Sequence, residues 1–228
     1  MKKAITTYAF LLCATTISAQ QKPGTFSILP RIGASLSNTN DNTFVVDGNT
    51  LDTKYKGGFS GGVDFAYQMS SSIGISVGAY YSNQGNKYSS IEYTTSNKKI
   101  SVGMENIHAD MSYLCIPVMA QIYVAKNFSC NAGIQADLGL SGKIKWDETT
   151  YELQEDGGKK PSETAEKYDE TLSPRKFGLS IPLGVSYEYM NVVLDARYNI
   201  GLTNAYDISG DKTIKYCFLF TVGYRFTL

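Results

Sequence analysis

The stretch YCFLFTVGYRFTL, residues 216–228, ends the sequence. In it Tyr216, Phe218, Phe220, Val222, Tyr224, Phe226 and Leu228 alternate with Cys217, Leu219, Thr221, Gly223, Arg225 and Thr227. Period two sustained over thirteen residues describes an extended strand with one apolar face. Termini of soluble domains are commonly frayed and polar. A greasy last strand therefore needs an apolar surface to meet, and the rest of the chain indicates which.

The same alternation recurs at 25–36, 57–69, 72–83, 111–124, 127–141, 175–189, 191–203 and 214–228, which makes eight candidate strands. Helical spacing is nowhere sustained, and 17 Tyr and 21 Gly beside a single Trp suit an all-β chain. The connections alternate in length. Short ones centre on Ser70 and Ser71, on Ala125 to Asn127, and on Met190 and Asn191; the others run to about 20, 27, 33 and 10 residues. Short turns at one end and long loops at the other predict an eight-stranded antiparallel up-and-down barrel.

Each strand has one uncharged face. Strand one offers Phe26, Ile28, Pro30, Ile32, Ala34 and Leu36, and strand four Leu114, Ile116, Val118, Ala120, Ile122 and Val124. The opposite faces hold Arg31, Asp64, Asp137, Glu188, Asp195, Arg197 and Arg225. Parity alone does not say which face points inward. Seven charges over some fifty positions are too few for a soluble surface, which carries about 25–35% charged residues. The apolar runs reach 11 residues or more, against about 5 to 6 in ordinary sheets and about 9–11 for a tilted transmembrane strand. Aromatics also collect at the ends of the apolar faces: Phe26, Tyr67, Phe128, Tyr187, Tyr189, Tyr224 and Phe226 toward the short turns, Phe59, Tyr81, Phe177, Tyr216 and Phe218 toward the loops. Two aromatic girdles around an aliphatic band fit the two bilayer interfaces. The seven charges then form a lumen ionic plug, since eight strands enclose only enough space for side chains. Closure of strand eight onto strand one places Arg225 between Asp195 or Arg197 and Arg31.

Residues 1–19 carry Lys2 and Lys3, an uncharged and mostly apolar run, then Ser18 and Ala19, the order of a secretory signal peptide. Cleavage there leaves 20–228 as one barrel domain with 19 basic and 21 acidic side chains, so no basic field for nucleic acid is expected. Cys115, Cys130 and Cys217 are odd in number and far apart, which predicts free thiols rather than a disulfide framework.

The motifs GAYYSNQG (78–85), YLCIPVMAQIY (113–123), LDARYNIGLTN (194–204) and terminal VGYRF (222–226), in this order, resemble the PorT-like outer-membrane β-barrel proteins of Bacteroidetes over the whole mature chain. The chain departs from that family's pattern at Cys115 and at Arg175 and Lys176. The resemblance implies an eight-stranded barrel in the cell outer membrane. It also implies insertion by the general assembly machinery, which reads a C-terminal strand carrying Tyr224, Phe226 and Leu228.

Three functional readings follow. The first is a non-enzymatic outer-membrane barrel whose extracellular loops do structural or partner-binding work. The 142–173 loop, with nine acids, five lysines and Trp146, is the main display segment. The segment 87–104, with its turn-like SNKK at 96–99, extends strands three and four and offers an edge for β-augmentation. The second is an enzyme acting on lipid or peptide at the rim through His108, with Asp110 and Ser112 on the same face. It lacks the separate orienting and oxyanion groups that nucleophilic catalysis needs. The third is a soluble lipocalin-like carrier of an apolar ligand. The first is the expectation: outer-membrane lipid and the assembly machinery as partners, a protein at the loops, and neither cofactor, metal nor catalytic residue.

Overall fold

Alternating sequences bury one face and pair their backbones sideways, and here the pairing closes on itself. A computed structural model describes residues 21–40, 45–46, 49–94, 100–154, 158–161, 166–206 and 213–228. Its wall consists of β1 (Phe26–Thr39), β2 (Thr53–Gln68), β3 (Ile73–Tyr88), β4 (Ile100–Ala125), β5 (Phe128–Leu153), β6 (Phe177–Tyr189), β7 (Val192–Asn204) and β8 (Ile214–Tyr224). Each strand is antiparallel to the next, and β8 returns to β1 from Arg31↔Gly223 to Thr39↔Lys215. The result is the eight-stranded up-and-down barrel that the alternation predicts. The segment 1–19 and the SNKK turn lie outside the described residues.

The exposure of the two faces settles the direction that parity leaves open. Ile32 (61% exposed), Leu140 (56%) and Phe220 (50%) point outward, whereas Asp64 (0%), Arg31 (2%) and Arg197 (3%) are inside. A soluble lipocalin-like carrier would do the opposite, so that reading is overturned. Aromatic rings mark both margins of the outer band. Phe26 meets Tyr67 at 4.6 Å and Tyr224 meets Phe226 at 4.9 Å on the short-turn side, and Tyr198 meets Phe218 at 4.4 Å on the other.

The strand expected at 214–228 is interrupted once. At Arg225 the backbone N–H turns away to bond the Asn191 carbonyl, after which Phe226–Thr227 pairs with Ser27 and Ile28 and the Leu228 N–H bonds the Phe26 carbonyl. The chain thus stays hydrogen-bonded to β1 to its last residue.

Larger differences occur at the extracellular end. β4 and β5 are expected at 111–124 and 127–141 but remain paired out to Ile100↔Glu152. Ile91–Thr94 adds to β4, and Lys159–Pro161 and Glu166–Thr171 add to β5. Most of the described part of the 142–173 loop is therefore sheet. Outside lipid both faces of a strand no longer have to differ, so the apolar alternation fades while the backbone ladder continues. A β-bulge marks the change: Tyr113 opposes Gly139 and Ser112 opposes Ser141, leaving Leu140 extra. Beyond it parity inverts, with Gly142 and Ile144 buried and Lys143 exposed. The upper lumen fills with apolar residues rather than charge, as Tyr80, Met111, Tyr113, Cys115, Ala205 and Tyr206 pack together.

At the other end the turns are tight. Tyr189↔Val192 is joined by Met190 (φ 48°) and Asn191 (φ 67°), both left-handed as a two-residue type I′ hairpin requires. Asn tolerates that region; Met does so at a cost. Replacing Met190 with Gly is expected to stabilise the folded barrel by about 1 kcal/mol, seen as a higher denaturant midpoint in lipid vesicles. An unchanged or lower midpoint would contradict the turn assignment.

Candidate functional site

Four charged side chains from three strands meet at mid-lumen. Arg31 on β1 places Nε 2.9 Å from Asp64 Oδ2 and Nη1 3.2 Å from Asp195 Oδ2. Arg197 on β7 places Nε 2.7 Å from Asp195 Oδ1 and Nη2 3.4 Å from Asp64 Oδ2. Each carboxylate thus lies between two guanidinium groups. The Arg31 contacts are ion pairs rather than aligned hydrogen bonds. The Ser186 hydroxyl donates to Asp195 Oδ2 at 2.6 Å and accepts from the Asn131 amide, also at 2.6 Å, while the Tyr80 ring lies 5.7 Å from the Arg197 guanidinium carbon.

Alternation makes this possible, because residues two apart on one strand share a face, as Asp195 and Arg197 do. Glycines make the room. A Cβ at Gly78 would stand 2.2 Å from Asp64 Oδ1, and one at Gly223 would stand 2.6 Å from Arg31 Cγ. The long polar side chains lie across strands that present no side chain beneath them.

Two pairs flank this quartet. Toward the short turns, Arg225 Nε donates to Glu188 Oε2 at 2.9 Å and Nη1 donates to the Ser27 hydroxyl at 2.9 Å. This corrects the expectation that Arg225 sits between Arg31 and the charges of β7. Val193 pairs with Gly223 and with Glu188, whereas Asp195 pairs with Thr221, so register sets Glu188 two residues nearer to Arg225 than Asp195 is. Toward the loops, Lys215 Nζ lies 3.1 Å from Asp137 Oδ2 and 3.8 Å from the centre of the Tyr113 ring. Gln135 and Ser180 donate to the same carboxylate at 2.6 and 2.9 Å.

Lys215 is absent from the seven charges read off the sequence. Two signals point to it: it shares parity with Cys217 and Arg225, and three arginines against four acids leave one buried negative charge without a partner. With Lys215 the membrane-spanning lumen holds four cations and four anions. The voids beside Asp137–Lys215 and beside Glu188–Arg225 are about 10 Å³ each, room for no more than one water.

At the rim, the alternation of β4, unbroken from His108 to Val118, places His108, Asp110 and Ser112 on the outer face, in line with Leu114 and Val118. His108 Nε2 is 3.7 Å from Asp110, but the Ser112 hydroxyl bonds the Tyr81 phenol at 2.8 Å rather than the imidazole. Asp110 is held instead by Lys56 at 2.5 Å and Lys145 at 2.9 Å. Partial burial works against its charge, yet the hydrogen bonds from the two lysines prevail and lower its pKa below the ordinary carboxylate value. Among the described residues, no three His, Cys, Asp or Glu side chains converge as a metal site. Cys115, Cys130 and Cys217 are all free.

Breaking a buried ion pair leaves an unpartnered charge, which costs about 3–5 kcal/mol, whereas replacing both partners is often neutral. Lys215→Met is therefore expected to lower the unfolding midpoint sharply, and adding Asp137→Leu to recover most of the loss. Equal destabilisation by the single and the double variant would show that the two groups do not compensate each other.

Comparison with known proteins agrees with this architecture. The family model described as outer membrane protein beta-barrel domain matches residues 18–207. A search of curated proteins gives no match. Among solved structures, Ail, the attachment invasion locus protein of Yersinia pestis, is 18% identical with a TM-score of 0.45, covering 90% of this chain and 99% of its own. Neisserial surface protein A is 14% identical with a TM-score of 0.44, covering 88% and 97%. OprG from Pseudomonas aeruginosa is 13% identical with a TM-score of 0.41, covering 92% and 99%. With its ring of eight antiparallel strands and its match over 18–207, the chain belongs to the outer membrane protein β-barrel domain family and resides in the outer membrane.

Proposed function

We propose that this protein is a sealed, non-enzymatic barrel that holds the extracellular extension of β4 and β5 in place for a protein partner. The observation that carries this reading is where the ordered backbone goes. Beyond the bilayer the chain builds a further sheet from Ile91–Thr94, the ends of β4 and β5, and Glu166–Thr171. Glu166–Thr171 is exposed at every position and forms an outer edge of that sheet, the geometry a partner strand extends by main-chain hydrogen bonds. The lumen, by contrast, is charge-balanced and packed. Arg31, Asp64, Asp137, Glu188, Asp195, Arg197 and Arg225 act there, with Lys215, as an ionic plug. Against an enzyme stands the rim geometry, in which Ser112 bonds Tyr81 and Asp110 is held by lysines.

The finer family placement is PorT-like, carried by the four motifs at 78–85, 113–123, 194–204 and 222–226. We assign 1–19 as a signal peptide removed on export. Tyr224, Phe226 and Leu228, all exposed on the outer wall, serve as the signal read by the assembly machinery.

Two experiments test these assignments. Cross-linking in native outer membranes followed by affinity capture should yield a defined partner with the wild type. A variant with 146–168 replaced by Asn-Gly should lose it while still migrating as a heat-modifiable barrel; retention by that variant, or no adduct with the wild type, would overturn the partner reading. Deleting 224–228 should leave the protein in the periplasm, unassembled, and normal insertion of the truncated chain would remove the terminal strand from the assembly role.

A further inference from the structure

The lysines of the extracellular end are not spread evenly. Two adjoining clefts, of about 1030 and 790 Å³, are lined by seven lysines against three aspartates, Asp110, Asp147 and Asp169. The segment 142–173 is acidic as a whole, so this basic character belongs to one side of the sheet and not to the segment's composition. Lys145 lines both clefts.

Charge balance within the clefts leaves a surplus. Asp110 is compensated twice, by Lys56 and Lys145, and Asp169 pairs with Lys143 at 2.6 Å. Lys54, Lys87, Lys167 and Lys176 line the same clefts and form no ion pair among the described residues. Lys56 is itself buried, its ammonium directed to Asp110 and Asn83. Two of the three aspartates are thereby neutralised, and Asp147, which accepts from the Asn106 amide at 2.7 Å, stands against those four lysines, so the clefts keep a net positive charge.

Position identifies the anion. The smaller cleft is bounded by Leu140, an outward-facing residue of the apolar band, together with Ser112, Lys143 and Lys176. Asp110 lies four residues above Leu114 on β4, roughly 13 Å along a tilted strand, so the cleft opens directly above the apolar band. Tyr81, whose phenol bonds Ser112, marks the aromatic margin just below. A soluble polyanion would have no use for the apolar wall that continues from the foot of this cleft, whereas an amphiphile would use both. The geometry points to a site on the outer wall of the barrel for the phosphate-bearing headgroup of an outer-leaflet glycolipid, with its acyl chains against the band around Leu140. Lys143, Lys145 and Lys176 contact the phosphate, and Lys54, Lys87 and Lys167 receive the anionic sugars above it. The clefts take Lys167, Asp169 and Thr171 from the Glu166–Thr171 strand, but the lipid site uses side chains there and not the main-chain edge, so it does not depend on a protein partner.

Trp146 is the single tryptophan of the chain and lines the larger cleft, stacked on Tyr168 at 5.5 Å, so the protein carries its own reporter. The experiment uses the intact barrel in phosphatidylcholine nanodiscs with or without bis-phosphorylated lipid A. It reads lipid A retained by native mass spectrometry after detergent extraction, together with Trp146 emission. The wild type is expected to retain lipid A and shift its emission. Lys143→Ala/Lys145→Ala/Lys176→Ala should retain it at least about tenfold less well, the effect of losing even one of three charge-assisted hydrogen bonds to phosphate, while remaining heat-modifiable. Should that triple variant not fold, Lys176→Glu, at an exposed position, gives the same comparison. Equal retention by wild type and variant, or equal retention of dephosphorylated lipid A, would overturn the proposal. Inorganic phosphate displacing lipid A and shifting Trp146 as fully as the glycolipid does would also overturn it, by showing a site for free anions.

Discussion

Hydrocarbon offers no hydrogen-bond partner, so every N–H and C=O of the wall must find one in the neighbouring strand. The rest of the structure depends on that requirement. It obliges β8 to close on β1 and carries the pairing past Arg225 to Phe226–Thr227 and the N–H of Leu228. It also explains why the last residues are strand and not tail: an unpaired edge there would expose backbone to lipid. The alternation of residues 216–228 is the side-chain consequence of the same closure, one face against lipid and one against the lumen.

Closure sets a second condition, on charge. Eight strands enclose a narrow, low-dielectric space in which a lone ion costs several kcal/mol. Ionised groups are tolerated there only when balanced, and the lumen balances them in layers: Arg225 with Glu188, the quartet of Arg31, Asp64, Asp195 and Arg197, then Lys215 with Asp137. Such networks add little net stability over apolar packing of equal volume. Their value here is that the pairs join different strands, β1 to β2, β1 to β7, β5 to β8 and β6 to the chain terminus, so a slipped register would leave charges apart. The apolar cluster around Tyr113 and Tyr206 then covers the ionic layers on the extracellular side.

Beyond the membrane the constraints relax and the chain does different things with the same backbone. The bulge at Leu140 reverses which residues of β5 face out, and so moves Lys143 and Lys145 to the outer face of the wall. Without that one extra residue their side chains would point inward, and the basic clefts would not form. The candidate sites of this protein thus arise where the regular barrel pattern breaks.

Much of this was legible in the sequence because bilayer and lumen impose opposite chemistries on alternate residues. The strand number, the up-and-down connectivity, the aromatic margins and seven of the eight lumen charges follow from period-two parity. What parity could not supply is anything that depends on register between strands. Arg225 and Glu188 are 37 positions apart and meet only because of how β6, β7 and β8 align. Lys215, at the start of the last strand, carries interior parity and supplies the missing positive charge, but that its partner is Asp137 is set by strand register. The extension at 87–104 is legible from its alternation, with Ile91–Thr94 and the start of β4 as strand, whereas the strands within 142–173 read as loop because their alternation is lost outside lipid. The sequence by itself determined that the chain is a membrane barrel, since lipid leaves its mark on every second residue. Only the tertiary structure decided which charges are partners and where the lysines gather, because those contacts are set by distances across strands that no one-dimensional pattern records.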